Sequence, residues 1–223
     1  MPQGVGVQVP PLAIPRRFAQ RLLFNGPKTA AITLVLAHGA GSPMDSPFME
    51  TIAEGIARTG VRVARFEFPY MLRRRETGSG GAPDRGPALM QSWRDTISEL
   101  GDAGRLVIGG KSLGGRIASM IADETGVRGL VCLGYPFHPP GKPEQTRTRD
   151  LERLRTPALI LQGDRDPFGT PEEVSKYELS RAIRVEWLED GDHSFKPRVR
   201  SGRTEAENLA QAIAHMTEFM RSL

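Results

Sequence analysis

Six short apolar runs, each separated from the next by an amphipathic or turn-rich stretch, constrain this chain more than any other feature. Residues 31–37 (AITLVLA) are apolar at nearly every position. A run of that kind suits a strand covered on both faces, because a polar side chain on either face would be buried. Residues 61–68, 106–109, 129–134 and 158–162 repeat the pattern, and 183–188 form a weaker sixth run. Between them lie helical patterns. Residues 46–58 place Phe48, Ile52 and Ile56 on one face, and 84–100 carry Leu89, Trp93, Ile97 and Leu100 as a stripe. Residues 113–122 are small and apolar. Thr170-Pro171-Glu172-Glu173 reads as an N-cap, a first-turn proline and dipole-matched acids. Residues 204–220 close the chain as a helix with Leu209, Ile213, Met216 and Met220 inward.

Strands alternating with helices predict an α/β fold: a mostly parallel, doubly wound sheet with helices on both faces. A length of 223 residues suits a single domain over 1–223. Pro10, Pro11 and Pro15 make the first fifteen residues irregular, and a strand is expected over 17–24. The glycines and prolines of 73–87 predict a mobile loop, and the prolines of 135–142 a stiffer one.

Composition narrows the partners. No run approaches the roughly 20 apolar residues of a membrane span. The N-terminal residues lack the basic and apolar regions of a secretory signal. Cys132 is the single cysteine; it makes no internal disulfide and fits a reducing cytoplasm as a small buried hydrophobe. Net charge is only +4, and the densest basic cluster, Arg73-Arg74-Arg75, has no interleaved aromatics. Nucleic acid is therefore not expected as a partner. Oligomeric state is not legible.

The sharpest chemical feature is Gly110-Lys111-Ser112-Leu113-Gly114. With 25 glycines and 12 serines in 223 residues, chance supplies about 0.15 such patterns, so the context must carry the weight. Here a predicted strand precedes the pattern and a predicted helix follows it, as a tight turn that lifts a serine hydroxyl above a sheet edge requires. A phosphate-binding loop is the competing reading, but it needs a glycine at position 105, which is Arg105.

A serine hydroxyl needs a base. His193, in Gly191-Asp192-His193-Ser194-Phe195, follows the last strand and so opens at the edge where Ser112 emerges. His215 reads as structural or exposed, and His38 and His138 are less well placed. Asp166, three residues past the strand-ending Gly163, suits the acid that orients His193. Asp164 is the alternative and reads better as a turn residue. Oxyanion donors are expected from the Leu113 N–H at the helix start and from Ala40 in His38-Gly39-Ala40-Gly41, with Gly41 as alternative.

Together these residues resemble the α/β-hydrolase superfamily over about 31–220, and its chain order of serine, acid, histidine matches Ser112, Asp166, His193. The compact form is similar to the dienelactone-hydrolase-like group. The segments Leu36–Gly41, Phe66–Tyr70, Gly110–Arg116 and Gly191–Phe195 look more closely like a bacterial branch of α/β-hydrolases. The resemblance implies an α/β-hydrolase fold with Ser112 as nucleophile, Asp166 as acid, His193 as base, and Ala40 and Leu113 at the oxyanion. Dienelactone hydrolases use cysteine where this chain has Ser112, so their substrate does not carry over. The 23 residues of 135–157 are short for a lipase lid, so no large lid domain is expected.

The expectation is a serine hydrolase acting on a carboxylic ester or thioester through an acyl-enzyme, with no cofactor and no metal. The alternative is a non-catalytic scaffold or interaction protein of the same fold. Substrate contacts are expected from Gly39, Gly41, Tyr70, Arg73, Tyr135, Phe137 and Lys196, with Met71 as a further apolar wall. Arg73, Arg74, Arg75, Lys142, Lys196 and Arg198 would make a positive rim suited to an anionic small molecule. Lys111 offers three readings: lowering the serine's pKa, binding an acidic group, or pointing to solvent. The last is the expectation.

Overall fold

The computed structural model describes residues 22–78 and 81–223. The expected irregular segment 1–15 and most of the strand over 17–24 lie outside the described residues. The end of that strand is present as β1 (Leu23–Asn25), paired antiparallel with β3 (Arg62–Phe66). Among the described residues all other pairings are parallel: β2 (Thr33–Ala37), β4 (Leu106–Lys111), β5 (Gly129–Leu133), β6 (Ala158–Gly163) and β7 (Ile183–Leu188) complete a seven-stranded sheet ordered β1-β3-β2-β4-β5-β6-β7.

Strand alternation divides the core into two layers. Leu34 and Leu36 of β2 face one layer, with Val107 of β4 and Val131 of β5. Val35 and Ala37 face the other, with Ile108 and Cys132. Helix α1 (Pro47–Ala57) and the C-terminal α7 (Glu205–Ser222) cover the first through Ile52, Ile56, Met216 and Met220. The second is covered by α2 (Pro69–Thr77), α3 (Gly86–Leu100) and α4 (Leu113–Ser119) through Met71, Trp93 and Ile117. Each such buried side chain contributes about 1.5–3 kcal/mol by leaving water.

Three elements differ from the sequence reading. The expected loop 73–87 begins as helix α2, ended by Gly78 in the left-handed conformation. A polar run Arg73-Arg74-Arg75-Glu76 gives no apolar period there. The helix is held by tertiary contacts: Arg75 pairs with the buried Glu67 carboxylate at 2.7 Å, and Tyr70 and Met71 are buried. The helix expected over 113–122 stops at Ser119, and a separate turn, α5, spans Ala122–Thr125. The Thr170 cap is a full capping box with Glu173, but its helix α6 runs only over Pro171–Val174. Residues 135–157 contain no helix or strand, and the described residues include no large lid domain.

The order reverses between β2 and β4. Chain leaves β2 toward β3 on one side and returns to β4 on the other, so the loops after these two strands diverge and leave a crevice at their carboxyl ends. His38–Gly41 and Ser112 both lie there.

Candidate active site

Ser112 sits between the last rung of β4 and the first turn of α4. Its N–H donates to the Leu133 carbonyl at 2.9 Å, and its own carbonyl accepts from Arg116 N–H at 3.0 Å. Its backbone is forced to φ 48°, ψ −108°, a region that L residues enter only when their surroundings over-determine it. The flanking glycines explain how. A Cβ on Gly110 (φ 150°) would lie 2.0 Å from the Ala37 carbonyl oxygen, and one on Gly114 would lie 2.4 Å from the same atom. The turn fits only because neither residue has a side chain. As the residue before helix α4, Ser112 leaves the Leu113 N–H at the first helical position, without an intrahelical acceptor.

His193 is held from both sides. Its Nδ1 lies 2.7 Å from Asp166 Oδ2. Asp166 is fully buried; its Oδ2 also accepts from Gln162 Nε2 at 2.9 Å and its Oδ1 from Phe168 N–H at 2.9 Å. Those bonds leave the carboxylate one orientation, and with an ionised carboxylate on Nδ1 the proton belongs there. Phe168 lies against the imidazole at 4.3 Å between ring centroids. The loop itself is clamped: Asp192 accepts the N–H groups of Ser194 and Lys196, and the buried Asn208 of α7 donates to the Phe195 carbonyl at 2.7 Å. Asp192 is thus a turn residue, and Asp164 accepts no hydrogen bond through its buried Oδ1.

Ser112 and His193 line one cavity of about 420 Å³ with Gly39, Ala40, Gly41, Lys111, Phe48 and Phe168. Ser112 Oγ has no hydrogen-bond partner among the described residues; such contacts commonly tighten only when substrate binds.

The loop after β2 is shaped by His38, which is fully buried. Its Nε2 accepts from Phe68 N–H at 3.1 Å, which places the proton on Nδ1, 2.6 Å from the Gly39 carbonyl. Burial lowers its pKa and keeps it neutral. Tyr70 hydroxyl donates to the Ala40 carbonyl at 3.2 Å; burial, then the Asp84 charge, push its pKa up, so it remains a donor.

The expected site residues divide. Ser112, His193, Gly39, Ala40 and Gly41 line the cavity, and Asp166 stands behind His193. Tyr70, Met71, Tyr135 and Phe137 do not: all four are buried in the core, Tyr135 with its hydroxyl on the Arg147 carbonyl. Arg73 is ion-paired with Asp84, and Lys196 is exposed away from the cavity. Half of the expected basic rim is neutralised, since Arg75 also pairs with Glu67 and Asp45, and Arg198 with Asp190. Lys111 does not point to solvent. It lines the cavity and donates to the His193 carbonyl at 2.6 Å. Sequence reasoning missed Phe48, Phe168 and Gln162. Phe168 carried a signal, an aromatic two residues past the acid in a loop; Gln162, polar at the end of a buried strand, carried another.

Such a crevice at a switch point, with a strained serine after the central strand and a carboxylate-held histidine after the last, marks a class of fold before any comparison. Residues 30–221 match the alpha/beta hydrolase domain family, and the chain belongs to it. An α/β serine hydrolase homologue from Coxiella burnetii is similar, with TM-score 0.67 and 20% identity, covering 87% of this chain and 90% of that one. A lidless α/β serine hydrolase from Xanthomonas campestris gives 0.63 and 22%, covering 87% and 86%. A dienelactone hydrolase from Anabaena variabilis gives 0.66 and 20%, covering 91% of each. Among curated proteins, the rat "Putative protein-lysine deacylase ABHD14B" is 29% identical over 117 residues. That match spans about half of each chain, 52% of both. Among the described residues no helix is long and apolar enough to cross a membrane.

Proposed function

We propose that the protein is a serine hydrolase that cleaves a carboxylic ester or thioester of a small molecule. The observation that carries this reading is the 2.7 Å Asp166–His193 bond behind a ring that shares its cavity with the strained Ser112. His193 Nε2 takes the proton of Ser112 Oγ as Oγ bonds to the carbonyl carbon. The oxygen gains the charge and is held by the Leu113 and Ala40 N–H groups, the first aided by the α4 dipole. The bond to the leaving oxygen or sulfur then breaks, and His193 returns the proton to it. Water, activated by the same nitrogen, releases the acid from Ser112. Asp166 stays ionised throughout and stabilises the imidazolium.

The cavity volume suits a small acyl group, and Phe48, Met49 and Phe168 give it apolar walls. A lone, buried, unpaired Cys132 favours a reducing, cytoplasmic setting, and one domain accounts for residues 30–221. The test is hydrolysis of 4-nitrophenyl esters and acyl thioesters of graded length. Turnover that disappears in Ser112→Ala is expected. A folded protein that cleaves none of them would favour a scaffold role.

A further inference from the structure

We propose that Lys111 is a specificity-determining residue whose ammonium receives a carboxylate on the substrate, an inference that rests on Ser112 being the nucleophile.

Among the described residues lining the cavity, Lys111 is the only lysine, arginine or carboxylate. It is fixed there by packing. Its stem runs beside Gly39, where a Cβ would meet Lys111 Cγ at 3.4 Å. Its Nζ stands 5.7 Å from the centroid of the Phe48 ring. A Cβ on Gly134 would come within 2.9 Å of Nζ and 3.2 Å of His193 Cε1, so the cation is seated against the catalytic loop. One of its three donors is used, on the His193 carbonyl at 2.6 Å. The other two have no acceptor among the described residues, and no carboxylate lies within ion-pair distance. A partly buried cation without a partner is costly, and such groups cluster at functional sites. Burial holds its pKa at about 8, against the opposing pull of Asp166 and Asp192. It is therefore charged at neutral pH, and an incoming carboxylate would supply the missing partner and accept the free N–H groups.

Three esters test this: 4-nitrophenyl valerate, neutral; mono(4-nitrophenyl) adipate, with a carboxylate on the acyl chain; and 3-carboxy-4-nitrophenyl valerate, with one on a nitrophenol leaving group of similar acidity. The readout is kcat/KM for each anionic ester divided by that for the neutral one. Lys111→Met should lower at least one ratio tenfold or more, with Lys111→Arg restoring part of it. Loss of the His193 anchor alone would slow all three esters together and leave both ratios unchanged, which would overturn the proposal. In the unaltered protein the favoured ratio should fall as pH passes 8, because the amine loses its charge. His193, Asp166 and Asp192 also face the ammonium, but they act on the chemistry common to all three esters. Should Lys111→Met not fold, Lys111→Gln is measured in the same way, and ratios equal to those of the unaltered protein would overturn the proposal. Should no ester be cleaved, calorimetric binding of free adipate to the Ser112→Ala protein separates the two readings. A tenfold weaker affinity on adding Lys111→Met supports the anion site, and equal or absent binding contradicts it.

Discussion

Two histidine-bearing loops meet at the carboxyl edge of the sheet and use the same side chain in opposite ways. In the loop after β2, His38 spends both ring nitrogens on backbone, accepting from Phe68 and donating to Gly39, and is sealed by the rings of Phe68 and Tyr70. In the loop after β7, His193 spends one nitrogen on Asp166 and turns a face to the cavity. Both sit at the switch point; only one has a nitrogen left for a proton. A candidate base is thus marked by what its neighbours leave unsatisfied. The fully satisfied His38 instead fixes the Gly39 carbonyl. Because the C=O and N–H of a trans peptide point in opposite directions, that fixes the Ala40 N–H too.

The widest difference should be in turnover. His193→Ala and Ser112→Ala should each lower kcat by about 10⁴–10⁶, and Asp166→Asn by about 10⁴, in steady-state ester hydrolysis. His38→Ala should lower it by only about 10–100-fold, through a loosened Ala40 N–H. Equal losses at the two histidines, in proteins that remain folded, would break the comparison. Stability should show the reverse order. His38→Ala strands the Phe68 N–H and the Gly39 carbonyl and should cost about 1–3 kcal/mol in urea unfolding. His193→Ala should cost less than about 1 kcal/mol, because its ring faces the cavity. The smallest effect is on pH. The folded-state pKa of His38 is lowered by burial, so the unfolded chain takes up the proton first as pH falls below about 6.5. Stability present above that pH should be lost progressively below it. His38→Asn should flatten the slope between pH 7.5 and 5.5, and an unchanged slope would assign the acid lability to other groups.

Much of this site was readable before any coordinates. The strands declared themselves because parallel strands buried on both faces tolerate few polar residues, and β2, β4, β5 and β6 obey that rule. Gly110 and Gly114 declared the turn because contact with the Ala37 backbone excludes every other residue. The expectation that Asp166 and His193 meet followed from the strand ends, and the two side chains lie 2.7 Å apart. Helix α2 was not legible, since it is held by burial of Tyr70 and Met71 and by the pairing of half-exposed Arg75 with the buried Glu67, 8 residues apart across a turn, rather than by an apolar period. Tyr70, Tyr135 and Phe137 read as pocket walls because an aromatic ring in a loop suits core and cavity alike; burial of their hydroxyls or rings is settled by distant partners such as the Arg147 carbonyl. Lys111 read as solvent-facing because nothing local announces Gly134 and the His193 carbonyl, both of which come from other strands and loops.

The most direct test of the central claim, that His193 activates Ser112, is peptide mapping by mass spectrometry after a fluorophosphonate probe. One adduct per chain, on the peptide containing Ser112 and lost in His193→Ala, is the predicted result. Labelling on another residue, or undiminished labelling of Ser112 without the imidazole, would contradict it.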